Sequence, residues 1–271
     1  MLTPRTPTGN STLHKIPFRA GGFAPQPLPL VGALTLIGLL LLWQAGASLG
    51  WISTRFLSDP LAILRALWIL LVSGELWSHL SASLVRLAWG WLAGTLAGLA
   101  VGLLLGVFSL ARAAGMAVVS ALFPVPKIAL VPLFIIWFGI GEGSKVITLA
   151  FGVFFPTVIN VLAGVDGVPR NLIRMAQSFG LSRWAILLKI ILPGALPSVL
   201  AGFRITSSTA IILLVAAEMI GAEHGIGAFV LSAGNLYDTD NLLAGIAVLS
   251  VLGLAVAWII GWLERKLLAW R

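Results

Sequence analysis

Cysteine is absent from this chain of 271 residues, which excludes disulfides and thiolate metal sites. Charge is nearly as scarce. Asp, Glu, Lys and Arg together make up 10% of the chain, where a soluble domain carries roughly a quarter. With 59% hydrophobic residues and a mean hydropathy of +1.05, the deficit points to lipid as the solvent. Tyrosine occurs once against eleven tryptophans, which suits many helix ends at a membrane interface, where an indole ring sits well. Acidic residues are fewer than basic ones, leaving a formal charge of +8. Nucleic-acid binding needs a basic patch or stripe, whereas these cations are spread between apolar segments. They read as topology signals, and no nucleic-acid partner is expected.

The first 29 residues hold six prolines with Arg5, Lys15 and Arg19 and no apolar period, as a disordered basic tail would. Leu30 to Gly50 is then long enough for the roughly 20 residues of a spanning helix. A cleaved leader is the competing reading, since Ala45-Gly46-Ala47 has the small-x-small form. Asp59-Pro60 opens a helix to about Val72, too short to span. Leu76, Leu80, Leu84 and Leu87 follow at helical spacing, with Glu75, His79 and Arg86 off that stripe, so both stretches are expected at the membrane surface. Further spans are expected at Leu87 to Phe108, Ala113 to Phe138, Ser144 to Val165, Pro197 to Ile220 and Asn241 to Trp262, the second of these interrupted by Pro124, Pro126 and Pro132.

The expected fold is therefore all-α and polytopic, with six transmembrane helices over residues 30–271 and a polar connection over 166–197. With the N-terminus inside, eleven cations face the cytoplasm, and four (Arg55, Arg65, Arg86 and Lys145) face out. Both termini and the 166–197 connection are expected in the cytoplasm.

Within the second span, Gly90, Gly94, Gly98, Gly102 and Gly106 recur at every fourth residue, lining one face for close helix approach. Lys127, Arg204 and Glu218 fall inside spans, where a charge costs a few kcal/mol and needs a partner or water. Arg204 and Glu218 lie 14 residues apart on one helix, roughly 21 Å, too far to satisfy each other. Lys127 follows Pro126, where a broken helix can line an aqueous path; a bond to a nearby carbonyl is the plainer reading. Lys127, Trp137, Phe138, Arg204, Ser207 and Glu218 are the candidates for a substrate pathway. Metal ligation is not supported: the three histidines lack His-x-x-x-His or Glu-x-x-His spacing. The Gly139 to Lys145 run is no P-loop, since Ser144 precedes Lys145 and no strand leads into it. Ser207 or Ser208 with His224 would be a membrane hydrolase, yet neither serine has a nucleophile-elbow sequence. No catalytic activity and no cofactor bound by this chain are expected.

The connection reads Arg174-Met175-Ala176-Gln177-Ser178-Phe179-Gly180, then Ile190-Ile191-Leu192-Pro193. This resembles the Glu-Ala-Ala, Gly, Ile-x-Leu-Pro loop of binding-protein-dependent ABC importer permeases, with Arg174 in place of the usual Glu and Met175 in place of the first Ala. Physically it is a short helix ended at Gly180, a new cap at Ser182 and a stop at Pro193. Pro126-Lys127-Ile128-Ala129-Leu130, Trp137 to Gly141, and Glu218 with Gly225-Ile226-Gly227 look like the sulfonate, taurine and nitrate branch. Gly50 to Arg55 and Ser73 to Leu80 look most like its aliphatic sulfonate permeases.

The resemblance implies the type I importer architecture in a bacterial inner membrane. It implies two copies of the chain, two cytoplasmic ATPase subunits holding ATP and Mg, and a periplasmic solute-binding protein. Arg174, Met175, Ala176, Gly180, Ile190, Leu192 and Pro193 would form the ATPase-coupling site. The implied cargo is a small organic anion, aliphatic sulfonate first, with taurine, nitrate, bicarbonate or a pyrimidine precursor as alternatives. A passive channel or ion-coupled carrier would instead lack any ATPase partner.

Overall fold

A computed structural model describes residues 29–269, and among them the regular structure is helical throughout. Apart from Pro29, the expected disordered tail lies outside the described residues, as does Arg271. The first helix, α1 (Pro29–Ser48), is apolar all round, and most of its side chains are left exposed by the other described residues. Such a helix needs lipid around it. α2 (Pro60–Ser73) starts as its sequence dictates: the Asp59 carboxylate accepts from the Ala62 N–H at 2.9 Å, and Pro60 occupies a turn where no donor is missed.

Gly74, in the left-handed region at φ +82°, is the break that ends α2. α3 then runs unbroken over Glu75–Val107, 33 residues. The separate surface helix expected over Leu76 to Leu87 is thus the first part of a spanning helix, because no Pro or left-handed Gly interrupts it. At about 50 Å it exceeds the hydrocarbon thickness of about 30 Å.

The span expected from Ala113 to Phe138 is broken in two. α4 (Ser109–Leu122) and the segment Lys127–Phe138, a 3₁₀ turn followed by α5 (Val131–Phe138), meet at 87°. Pro124 and Pro126 remove two donors and clash with the preceding turn, whereas Pro132 sits in the first turn of α5 and is tolerated.

α6 (Glu142–Asp166) packs along the glycine face of α3. A Cβ on Gly98 would lie 2.7 Å from Thr157 Cβ, one on Gly102 2.7 Å from Val161 Cβ, and one on Gly106 2.9 Å from Val165 Cγ1. All three distances are shorter than a real Cβ contact, so the two backbones are as close as the missing side chains allow.

α7 (Arg170–Ser178) and α8 (Arg183–Ile186) form the polar connection. A π-helical stretch, Leu187–Ile191, leads directly into α9 (Leu192–Met219), so Arg183 to Met219 is one continuous helical path. Pro193 therefore does not stop the chain. The Leu192 N–H bonds to Leu187 O, and this wider turn accommodates a residue that has no donor.

α10 (Ile226–Asn235), not anticipated from the sequence, packs on α3, α9 and α11 (Thr239–Leu267). Its apolar residues Ile226, Phe229, Val230 and Ala233 do carry helical spacing. Five described helices are long and apolar enough to span, six if the bent α4–α5 pair is one span. Leu87, Leu149, Val153, Leu213 and Leu214 form the core where α3, α6 and α9 meet.

Candidate functional site

Arg86 on α3 is 3% exposed, not at the surface as its place off the leucine stripe suggests. Nε and Nη2 donate to the two oxygens of Glu142 on α6, each at 2.6 Å, while Nη1 donates to Glu218 Oε1 at 2.7 Å and to His224 O at 2.6 Å. Glu218, 0% exposed near the end of α9, also accepts from Ser83 Oγ at 2.7 Å and from the Gly227 N–H at 2.9 Å. Ser83 in turn accepts from the Ile226 N–H at 2.9 Å. One guanidinium thus ties α3, α6, α9 and the loop into α10 together.

Gly225, at φ +142°, lets that loop approach: a Cβ there would lie 2.7 Å from Arg86 Nη1. The His79 ring lies behind it, Nδ1 accepting from the Gly225 N–H at 3.1 Å. Lys145, also buried, donates to Ile140 O at 3.2 Å and Gly141 O at 3.0 Å, so it anchors the start of α6. Arg86 and Glu218 are buried while Glu142 stays largely exposed, so the buried pair carries no net charge.

Arg86, Ser83 and Glu142 were not singled out from the sequence as site residues. Arg86 stands one turn before Gly90, in phase with the glycine stripe, and that register places it on the buried face.

The six pathway candidates do not form one cluster. Glu218 has both carboxylate oxygens occupied in the sealed network just described. Arg204 sits near the middle of α9, 14 residues before Glu218, and pairs with Glu264 of α11 at 2.9 Å. Ser207 donates to Arg204 O at 2.9 Å within its own helix, so no Ser–His pair with His224 assembles. Trp137 and Phe138 are exposed at the end of α5. Lys127 is half-buried at the bend, with Nζ on Phe123 O and 5.4 Å from the Phe155 ring centroid. The carbonyl partner is the plainer of its two sequence readings, with cation–π contact added.

The coupling candidates, by contrast, are continuous. Ala176 is buried, while Arg174 and Met175 are exposed on α7. Gly180 is left-handed at φ +69°, its N–H bonding Gln177 O at 3.0 Å while the Leu181 N–H reaches Ala176 O at 3.1 Å. Ser182 caps α8, accepting from the Ala185 N–H at 3.2 Å. Ile190, half-buried, lies in the π stretch, and Leu192 and Pro193 open α9. At the head of the segment Arg112 clasps Asp166 through two bonds of 2.7 and 2.6 Å.

Residues 94–269 match the family of binding-protein-dependent transport system inner membrane components. The chain belongs to that family. It is a multi-pass membrane permease, a non-catalytic subunit of an ABC importer whose ATP hydrolysis occurs in separate subunits. This permease is 40% identical to the taurine transport system permease protein of Escherichia coli, over 87% of this chain and 88% of the relative. It is 38% identical to a putative aliphatic sulfonates transport permease protein of the same organism, over 86% and 89%. In fold it is similar to a methionine ABC transporter solved in inward-facing conformations, with a TM-score of 0.61 and 23% identity, covering 71% of this chain and 95% of that one.

Proposed function

We propose that this permease translocates a small organic sulfonate, taurine or an aliphatic sulfonate, across a bacterial inner membrane. The observation that carries this reading is the 38–40% identity to permeases of those two names over nearly the whole chain. The reading includes a homodimer, two ATPase subunits holding ATP and Mg at the 166–197 side, and a solute-binding protein at the opposite side. Both termini face the cytoplasm, in keeping with Arg170, Arg174, Arg183, Lys189, Arg265 and Lys266 at that end.

The reading also includes alternating access, which the helix continuity supports. Motion of α8 is passed along the Arg183 to Met219 path to the Glu218 cluster, while the close α3–α6 packing keeps the rest of the protomer together. Uptake of labelled taurine and of an alkanesulfonate into proteoliposomes holding permease, ATPase and binding protein tests the substrate. ATP-dependent uptake of either supports the proposal. Uptake of nitrate or bicarbonate with neither sulfonate carried would overturn it.

A further inference from the structure

Among the nine acidic residues of the chain, none lies between Asp166 and Glu218. The two acids at this end of the molecule are both engaged: Asp166 with Arg112 and Glu264 with Arg204. Arg170, Arg174, Arg183 and Lys189 are exposed, and among the described residues none has a carboxylate within 4 Å. Between these cations stand large exposed apolar side chains, Met175 at 51%, Phe179 at 76% and Trp184 at 69%. Apolar anchors rimmed by arginine are the composition of a protein interface.

The ATPase subunits that work with permeases of this family make a protein the occupant argued for, with the bilayer as the alternative outcome of the test. α7 turns its small apolar residue Ala176 inward, presents Arg170, Asn171, Arg174 and Ser178 on the opposite face, and leaves Leu172, Met175 and Phe179 exposed along its flank. Among the described residues nothing lies within 4 Å of a Cβ built on Gly180, so the turn stands clear of them.

We infer that the ATPase groove receiving this segment is rimmed with carboxylates, and that Arg174 and Arg183 select the cognate ATPase by charge. This rests on the reading of 166–197 as the coupling segment. The energetic basis is complementarity. Rim charges set partner choice and salt dependence, and a like charge opposite the groove is strongly disfavoured.

The test measures binding of the co-expressed ATPase subunit to the full-length permease in nanodiscs of phosphatidylcholine alone, and with phosphatidylglycerol added, from 50 to about 500 mM NaCl, a range over which exposed charges become screened. Wild type should bind more weakly as salt rises. Arg174→Glu with Arg183→Glu should lose about tenfold or more in affinity at low salt in both lipids. Arg174→Lys with Arg183→Lys should keep most of the affinity, and nanodisc incorporation of every variant is monitored by size exclusion.

If the Glu variant binds as wild type while Gly180→Trp detaches the ATPase, the acidic groove is overturned and the coupling reading stands. If Gly180→Trp binds as well, the coupling reading falls with it. A defect seen only with phosphatidylglycerol present assigns these cations to the membrane and also overturns the inference.

Discussion

Arg86 Nη1 lies 2.7 Å from Glu218 Oε1, joining α3 to α9 where both are sealed from solvent. Removing one partner of a buried pair leaves an uncompensated charge and costs about 3–5 kcal/mol. Arg86→Met should therefore lower the thermal midpoint of the purified permease sharply. Arg86→Met with Glu218→Met should recover part of the loss, because Glu142, with a 65% exposed side chain, can be solvated once released. An unchanged midpoint in the single variant would show that the cluster does not hold these helices.

Gly98→Leu should disrupt the α3–α6 seam, since even a Cβ there would fall 2.7 Å from Thr157 Cβ. Overpacking costs about 1–3 kcal/mol where neighbours can shift, and here the neighbours include backbone. Gly38→Leu on α1, with nothing among the described residues within 4 Å, serves as control. Limited proteolysis in nanodiscs should show Gly98→Leu cleaved faster and Gly38→Leu unchanged; equal rates would contradict the packing account.

Much of this was legible in the chain because lipid makes hydropathy and small-residue period decisive. The Gly90 to Gly106 register, the Asp59 and Ser182 caps and the left-handed Gly180 all follow from local chemistry. What was not legible depends on distant partners. Arg86 reads as a surface cation until Glu142 and Glu218, 56 and 132 residues away, are brought to it. Pro193 reads as a stop until the preceding turn is seen to widen. Arg204 reads as an intramembrane charge until the last turns of α11 supply Glu264.

The orientation proposed above can be checked directly, since the chain has no cysteine of its own. Single cysteines at Ser11, Ser182 and Ser232 should differ toward an impermeant reagent added from outside, with only position 232 labelled. Labelling of 182 from outside would invert the topology.

Lys127 stands at the 87° bend between α4 and α5, held by a main-chain oxygen rather than a carboxylate. A cation beside a broken span, with no counter-charge among the described residues, is suited to a passing anion. Lys127→Met should reduce uptake severalfold while ATPase binding stays as in wild type. Unaltered uptake kinetics would remove Lys127 from the pathway.

The most direct test of the central claim, that this chain couples to an ATPase through 166–197, is made at Gly180. Any side chain pays roughly 1 kcal/mol in its left-handed conformation, and Asn pays least, so Gly180→Asn controls for backbone strain. Among the described residues no atom lies within 4 Å of the added Cβ, so a further loss caused by a larger side chain reports on the partner. The measurement is co-purification of the ATPase and substrate-stimulated ATP hydrolysis in proteoliposomes for wild type, Gly180→Asn and Gly180→Trp. The account predicts that Gly180→Asn keeps most of both, while Gly180→Trp inserts normally but loses them. Wild-type coupling in Gly180→Trp would contradict it.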